Sequence, residues 1–400
     1  MPLASSSRVG TYYIQESTYG VTPTNPNIKT VRLTAGGDGL VRTEQNVQSE
    51  EIDASRLVTD QIPVGYSANF AINYEVSAGG AFDDFIIATL CGAVVTVTLT
   101  GTTLAFSSVD NSVNDSANGL LATGVVVKQW LRVSGTTGGL NDGAGQVDSV
   151  VAGKIVFGLF FKASGAATIV TQTAGPSVTL KGKMARTGIA TQTSFSVEEN
   201  FSDLTTTYQR GVGFRPVEFA MTAQARQKLT GTTRFLGNNV TTQTSSMKGS
   251  GSIVAADTAP VLNATSNVPI VYEGNTPLLT RLRQIGVTVN GNVTEAEAIA
   301  NAAAAALIDG TFSCTGPFEA YFEDVTMLSK VLNHTLTSLV LPFKDGSTPP
   351  NYMIFTAPAM YLTGQLRKQG QNQPVLQNLT WTAVRDNLTA SMFQVDLIHA

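Results

Sequence analysis

Gly310 to Phe343 reads GTFSCTGPFEAYFEDVTMLSKVLNHTLTSLVLPF. Phe312, Cys314, Phe318, Ala320 and Phe322 occupy alternate positions with Glu319, Tyr321 and Glu323 between them, the period of a strand that buries one face. A short amphipathic helical turn and a second strand follow. Gly65 to Leu90, GYSANFAINYEVSAGGAFDDFIIATL, repeats this layout. There Ala68, Phe70, Ile72, Tyr74 and Val76 form the apolar stripe, and Phe82 to Leu90 the helical turn. Phe70, Tyr74, Phe85, Phe318, Phe322, Leu328 and Trp381 are the expected core anchors.

The match extends both ways from these stretches. Upstream, NVQSEEIDASRLVTDQIPVG has the layout of NVTEAEAIANAAAAALIDG, each opening on Asn-Val and an acidic cluster. Downstream, each copy gives a strand, a polar turn, a strand ending before a proline (Pro216, Pro358) and further strands. An internal duplication of one β unit accounts for this order. By propensity alone EAEAIANAAAAAL is a helix, because alanine is the best helix former. SEEIDASRLVTDQ is far less so, and if the two are equivalent both are long hairpin-like loops; a local helix in the second copy is the alternative.

The 400 residues suffice for two or three domains, each burying its own core. Apolar residues make up 42% of the chain and charged residues only 14%, against roughly a quarter in an average soluble domain. So few charges leave sheet edges poorly guarded, which suits a protein that associates extensively. A net charge of -4 argues against a protein that grips nucleic acid, since that function calls for a basic stripe. Cys91 and Cys314 make no disulfide framework and fit a reducing compartment during folding. With only His334 and His399 besides, no zinc or histidine-based catalytic centre is expected. The most apolar run, Phe85 to Leu99, is too short to span a bilayer, and MPLASSSRVGTYY has no signal-peptide core.

Residues 1 to 27 read as an edge strand followed by a Pro/Asn-rich loop. Residues 93–183, absent from the second copy, read as a small inserted β domain of four or more strands with Trp130 as its core anchor. Residues 241–276 are rich in Thr, Ser, Gly, Asn and Pro and read as the linker between copies. This gives one unit of 1–92 plus 184–240 and a second of 277–400. Neighbouring carboxylates at Glu50-Glu51, Asp83-Asp84 and Glu198-Glu199 read as solvated turns or caps, and His399 as a terminal surface residue. Ser245-Ser246-Met247-Lys248 is formally Ser-x-x-Lys, but in a low-complexity connection. No catalytic, metal or cofactor residue is expected; function lies in shape and assembly.

The order SEEIDASRLVTDQ, Gly-led strand, AFDDFIIATL, SFSVEENFSD resembles the tail tube proteins (major tail proteins) of long-tailed bacteriophages. TGPFEAYFEDVTMLSKVLNHT, then LPFKDGSTPPNYMIFTAPAMYL and GQNQPVLQNLTWTAV, resembles the second half of that family, and the resemblance covers most of the chain, from Tyr12 to Asp396, with the insert partly outside it. The resemblance implies a mainly β fold of two tandem tail-tube sandwich/barrel units, each with a short helix, plus the small β insertion on the outer surface. It implies that each sandwich lends strands to a closed barrel, that rings stack into a tube, and that long loops contact the next ring. Glu50, Glu51, Asp53, Arg56, Glu295 and Glu297 are the corresponding loop residues here.

Six units per ring, two from each chain, imply a homotrimeric ring with pseudo-sixfold symmetry, favoured over a hexamer. The other implied partners are a tape measure protein in the lumen during assembly, double-stranded DNA in transit and tail proteins at the tube ends, with no membrane. The protein would be assembled in the host cytoplasm and located in the virion tail. A net negative lumen is expected, because a basic one would trap DNA. The alternatives are the inner tube of a contractile tail and a β-rich virion decoration or adhesion protein; the latter has no need of matched units with matched loops.

Overall fold

A computed structural model describes residues 3–34, 37–52, 54–367 and 370–399. The chain opens with β1 (Val9–Gln15), β2 (Ile28–Thr30), β3 (Gly39–Gln48), β4 (Gln61–Glu75) and α1 (Ala81–Leu90). Then come β5 (Val95–Gly101), β6 (Leu104–Ser107), β7 (Ser112–Asp115), β8 (Trp130–Ser134), β9 (Gly143–Val151), β10 (Lys154–Lys162), β11 (Gly165–Ala166) and β12 (Val178–Arg186). Next are β13 (Phe195–Phe201), β14 (Tyr208–Gln224), β15 (Thr230–Gly237), β16 (Asn239–Gln243), β17 (Ile253–Val254), β18 (Tyr272–Glu273) and β19 (Thr276–Pro277). The last part holds β20 (Leu282–Asn290), β21 (Thr294–Ala296), β22 (Ala306–Ile308), β23 (Ser313–Tyr321), α2 (Thr326–Leu332), β24 (Thr337–Lys344), β25 (Tyr352–Arg367), β26 (Leu376–Ala383) and β27 (Gln394–Ile398). The fold is mainly β.

Two sets of elements follow one plan. β3, β4, α1, β13, β14, β15 and β16 recur in order as β20, β23, α2, β24, β25, β26 and β27, and they pair alike. In the first set β3 pairs with β4, β4 with β15, and β15 with the second half of β14. In the second, β20 pairs with β23, β23 with β26, and β26 with the second half of β25. The first halves of β14 and β25 lie in a different layer, between β13 and β16 and between β24 and β27. Even an irregularity is shared. The β13–β14 register slips between Phe195↔Phe214 and Val197↔Gly211, and the β24–β25 register between Thr337↔Met360 and Leu339↔Ala357. Such bulges bend a strand, so their agreement carries more weight than element order alone.

One core runs through both sets. Phe70, Tyr74 and Phe85 of the first and Phe318 and Trp381 of the second are almost fully buried in the same cluster. Separate cores for the two copies, the expectation from length, are therefore not found. Phe322 and Leu328 are only half-buried. Phe322 lies just past the end of β23, and α2 turns Met327 inward instead of Leu328. The prolines do not end their strands, because Pro216 sits at a bulge inside β14 and Pro358 falls within β25; a missing N–H is tolerated where ladder pairing is interrupted. Nor is β1 an edge: it pairs with both β13 and β2.

Residues 93–183 hold their own core of Val97, Leu104, Phe106, Val113, Leu131, Val147 and others. Trp130 belongs elsewhere. It packs with Phe161, Tyr272, Tyr352, Ile354 and Ile398, joining the insert to the second set of strands. The backbone N–H of Trp130 donates to Asp396 Oδ1 (3.0 Å), and Gln394 Nε2 donates to Asp396 Oδ2 (2.6 Å). Burial pushes the Asp396 carboxyl up to about 7. A carboxyl raised in the folded state contributes stability that is fully present below its unfolded value near 4 and is lost as pH rises towards 7. Urea midpoints should therefore fall between about pH 4 and 7, and Asp396→Asn should remove that slope; equal slopes in the two proteins would count against the burial described.

Buried polar groups elsewhere serve structure. Glu198, fully buried, accepts from Ser246 Oγ (2.6 Å), the Met247 N–H (2.5 Å) and Arg210 Nη2 (3.4 Å). The Ser-x-x-Lys segment is thus a clamp on a buried carboxylate. Asp83 is buried and bonds His399, tying β27 back to α1, so His399 is more than a terminal surface residue. Asp84 accepts from Tyr13 Oη (2.8 Å) and Lys29 Nζ (2.6 Å).

Candidate assembly surfaces

The second half of β14 has β15 on one side and β20 on the other. That junction joins the two four-stranded sheets into one of eight, ordered β3, β4, β15, β14, β20, β23, β26, β25. Its registers include Ala220↔Thr288 and Met221↔Val287, the latter pair buried, and Asn290 Nδ2 donates to Glu218 (2.6 Å). The two ends of the eight-stranded sheet carry no further strand, although at Leu40 of β3 the carbonyl accepts from Gln209 Nε2 (3.0 Å) and the N–H donates to the Glu199 carboxylate. β3 pairs with β4 alone, and residues 361–367 of β25 pair with β26 alone.

These open edges are the same two edges that meet inside the chain. By register, Leu40 of β3 is equivalent to Val287 of β20, since each lies opposite equivalent positions of β4 and β23. Leu366 of β25 is equivalent to Met221 of β14 by the same comparison. Leu40 is buried, Leu366 half-buried, and Thr363, Gly364, Gln365 and Arg367 exposed. Gly364 has φ of +134° and leaves no room for a Cβ against the Asn378 carbonyl, so only glycine fits there. Open edges invite pairing with another copy.

The face of this sheet turned away from the core is built of hydroxyls and amides: Asn69, Thr232, Thr222, Thr288, Thr315, Asn378, Thr380 and Gln365 among them. Its carboxylates are matched by cations. Lys228 pairs with Glu75 and Arg283 with Glu319, while Arg234 and Arg367 lie along the same face as Glu218.

Both long excursions are hairpins, with no helix in the second. Val47↔Ile62 and Gln48↔Gln61 of the first correspond to Thr294↔Ile308 and Glu295↔Leu307 of the second. Glu50, Glu51, Arg56 and Glu297 are exposed at the tips; Asp53 lies outside the described residues. Glu295 is half-buried on β21, and burial, then Glu297, raises its carboxyl above the usual range. The equivalent Ile52 and Ile299 are fully exposed. Arg215 Nη2 donates to Asp309 (2.5 Å) and fixes the base of the second hairpin to β14.

Sequence reasoning missed the β14–β20 junction and, with it, Leu40 and Leu366. A signal was available. β14 and β25 run for 17 and 16 residues, beyond the usual strand length of about 3–10, as expected of strands that pass from one sheet into another.

Among the described residues no group of three or more His, Cys, Asp or Glu side chains could hold a metal, and no helix is long and apolar enough to cross a membrane. An eight-stranded sheet whose two ends carry no further strand, with paired projecting hairpins, is the architecture of a structural protein. A family profile described as phage tail tube protein matches residues 6–383, and the chain belongs to that family. No curated protein matches it. Its role is that of a structural component of the bacteriophage tail tube.

Proposed function

We propose that three copies join head to tail, the β25 edge of one chain pairing with the β3 edge of the next, into a ring with pseudo-sixfold symmetry that stacks into a DNA-conducting tube. Residues 1–92 plus 184–240 and residues 277–400 act as its two tail-tube units, 241–276 links them, and 93–183 rides on the outside. The observation that carries this reading is the β14–β20 junction, an internal copy of the contact a second chain would make. Repeating it pairs Leu366 with Leu40, Gln365 with Val41 and Thr363 with Thr43. A heterologous contact of this kind closes into a ring or runs on as a filament; a closed barrel leaves no edge exposed.

Cryo-EM of purified protein tests the reading: class averages should show rings of three chains, alone or stacked. Rings of six chains would refute the stoichiometry, and neither rings nor tubes would refute the whole. The hairpin tips then face the next ring. A tape measure protein occupies the bore during assembly and other tail proteins close its ends; assembly takes place in the host cytoplasm.

The face turned from the core lines the bore. Its matched charges make it close to neutral, so the expected negative surplus gives way to a hydroxyl and amide lining that gives phosphates no fixed cations to release counterions against. Tubes should not co-sediment with double-stranded DNA at about 0.1 M salt. Tubes carrying Thr288→Lys and Thr380→Lys should retain it and release it as salt rises; equal retention by both would place these threonines away from the DNA path.

A further inference from the structure

Within the chain, the second hairpin crosses the β14–β20 junction and leans on the first. The Tyr66 N–H donates to the Ala302 carbonyl (2.9 Å), and Ala302–Ala304 and Val64 to Tyr66 line opposite sides of a cavity of about 380 Å³. The strands at the bases of the two hairpins share one register, and the tip of the first is one residue longer, so counterparts here are counted back from the second strand of each hairpin. Phe312 answers to Tyr66, Arg56 to Ala302, Leu57 to Ala303 and Val58 to Ala304. The counterparts are apart in the single chain. Among the described residues no hydrogen bond from the Phe312 N–H is found, and Leu57 and Val58 are 70% and 60% exposed.

Phe312 and Val293 line a mostly apolar cavity of about 400 Å³, together with Pro216, Val217, Ile189 and Met392. Larger aliphatic side chains stand where the internal contact has alanines, and the apolar cavity beside Phe312 stands where the internal contact leaves one of about 380 Å³ beside Tyr66.

We propose that the first hairpin of each chain leans across the ring junction onto the second unit of the neighbouring copy. The Arg56 carbonyl accepts from the neighbour's Phe312 N–H, and Leu57 and Val58 enter the neighbour's cavity. This rests on the ring reading above and adds a second, lateral lock to the strand pairing, repeating in trans the contact that Tyr66 and Ala302 make in cis.

The test is a cysteine pair, Arg56→Cys with Phe312→Cys, in a Cys91→Ser background; Cys314 is buried and its thiol is pushed up to about 12. Residues joined like Tyr66 and Ala302 lie within disulfide reach. Oxidised rings should run as covalent dimers and trimers, and no larger, on non-reducing gels. The control pair Tyr66→Cys with Ala302→Cys should cross-link only within the chain. Adding Leu366→Asp should abolish the first cross-link and spare the second. Rings seen by microscopy without a disulfide between the first pair of introduced thiols, or ladders running beyond three chains, would overturn the lateral lock while leaving the ring intact. Absence of rings would overturn both.

Discussion

Leu366→Asp is expected to yield a folded monomer that forms neither rings nor tubes. Leu366 is half-buried in the single chain, so a carboxylate there stays hydrated and costs the monomer little. In the ring the same side chain faces the neighbour's Leu40, as Met221 faces Val287 inside the chain. An unpaired carboxylate at that place loses its water without gaining a partner, a penalty of several kcal/mol per ion, and every junction of the ring carries one. Met221→Asp supplies the contrast. Met221 is 3% exposed in the monomer, and its replacement should prevent folding itself. Size-exclusion chromatography, thermal melts and electron microscopy separate the outcomes. If Leu366→Asp protein still assembled, the β25 edge would lie outside the junction and the ring as described would be wrong.

The contrast shows what the amino-acid sequence exposes and what it conceals. Ala68 to Val76 alternates cleanly because each inward side chain enters the core that the chain forms by itself, and all five apolar members of that stripe are nearly inaccessible. Position 366 sits in a similar alternation, between Gln365 and Arg367, yet is only half-buried in the single chain, and nothing in the sequence says that under the proposed ring its remaining apolar contact would come from another copy. The hairpins are legible, but only by comparing the two copies. Alanine propensity alone favours a helix at 295–307, but the strands at its base and the lean on Tyr66 impose a turn, and tertiary contact overrides a preference of a few tenths of a kcal/mol per residue. The role of Trp130 was hidden for a different reason. A tryptophan in VVVKQWLRV looks alike whether it anchors its own domain or binds it to another, because the partners Tyr272, Tyr352 and Ile398 are remote in the chain.

That ambiguity can be resolved by Trp130→Ala, which should lower stability by about 3–5 kcal/mol, the range for removing a large aromatic side chain from a packed site. The indole stacks obliquely on Phe161 with ring centroids 5.4 Å apart and is fully inaccessible. Its loss opens a void between the insert and the β25–β27 layer, while the insert's own cluster, which does not include Trp130, keeps its contacts. Hydrogen exchange should therefore rise in β8, β24 and β27, on both sides of the void, and stay low in β6 and β7. Ring assembly should survive below the new melting temperature, because neither β3 nor residues 361–367 touch this cluster. Exchange that rose throughout β5 to β10 and nowhere in β24 or β27 would make Trp130 the anchor of the insert alone, and the insert would then be an independent passenger instead of a part fastened to the second unit.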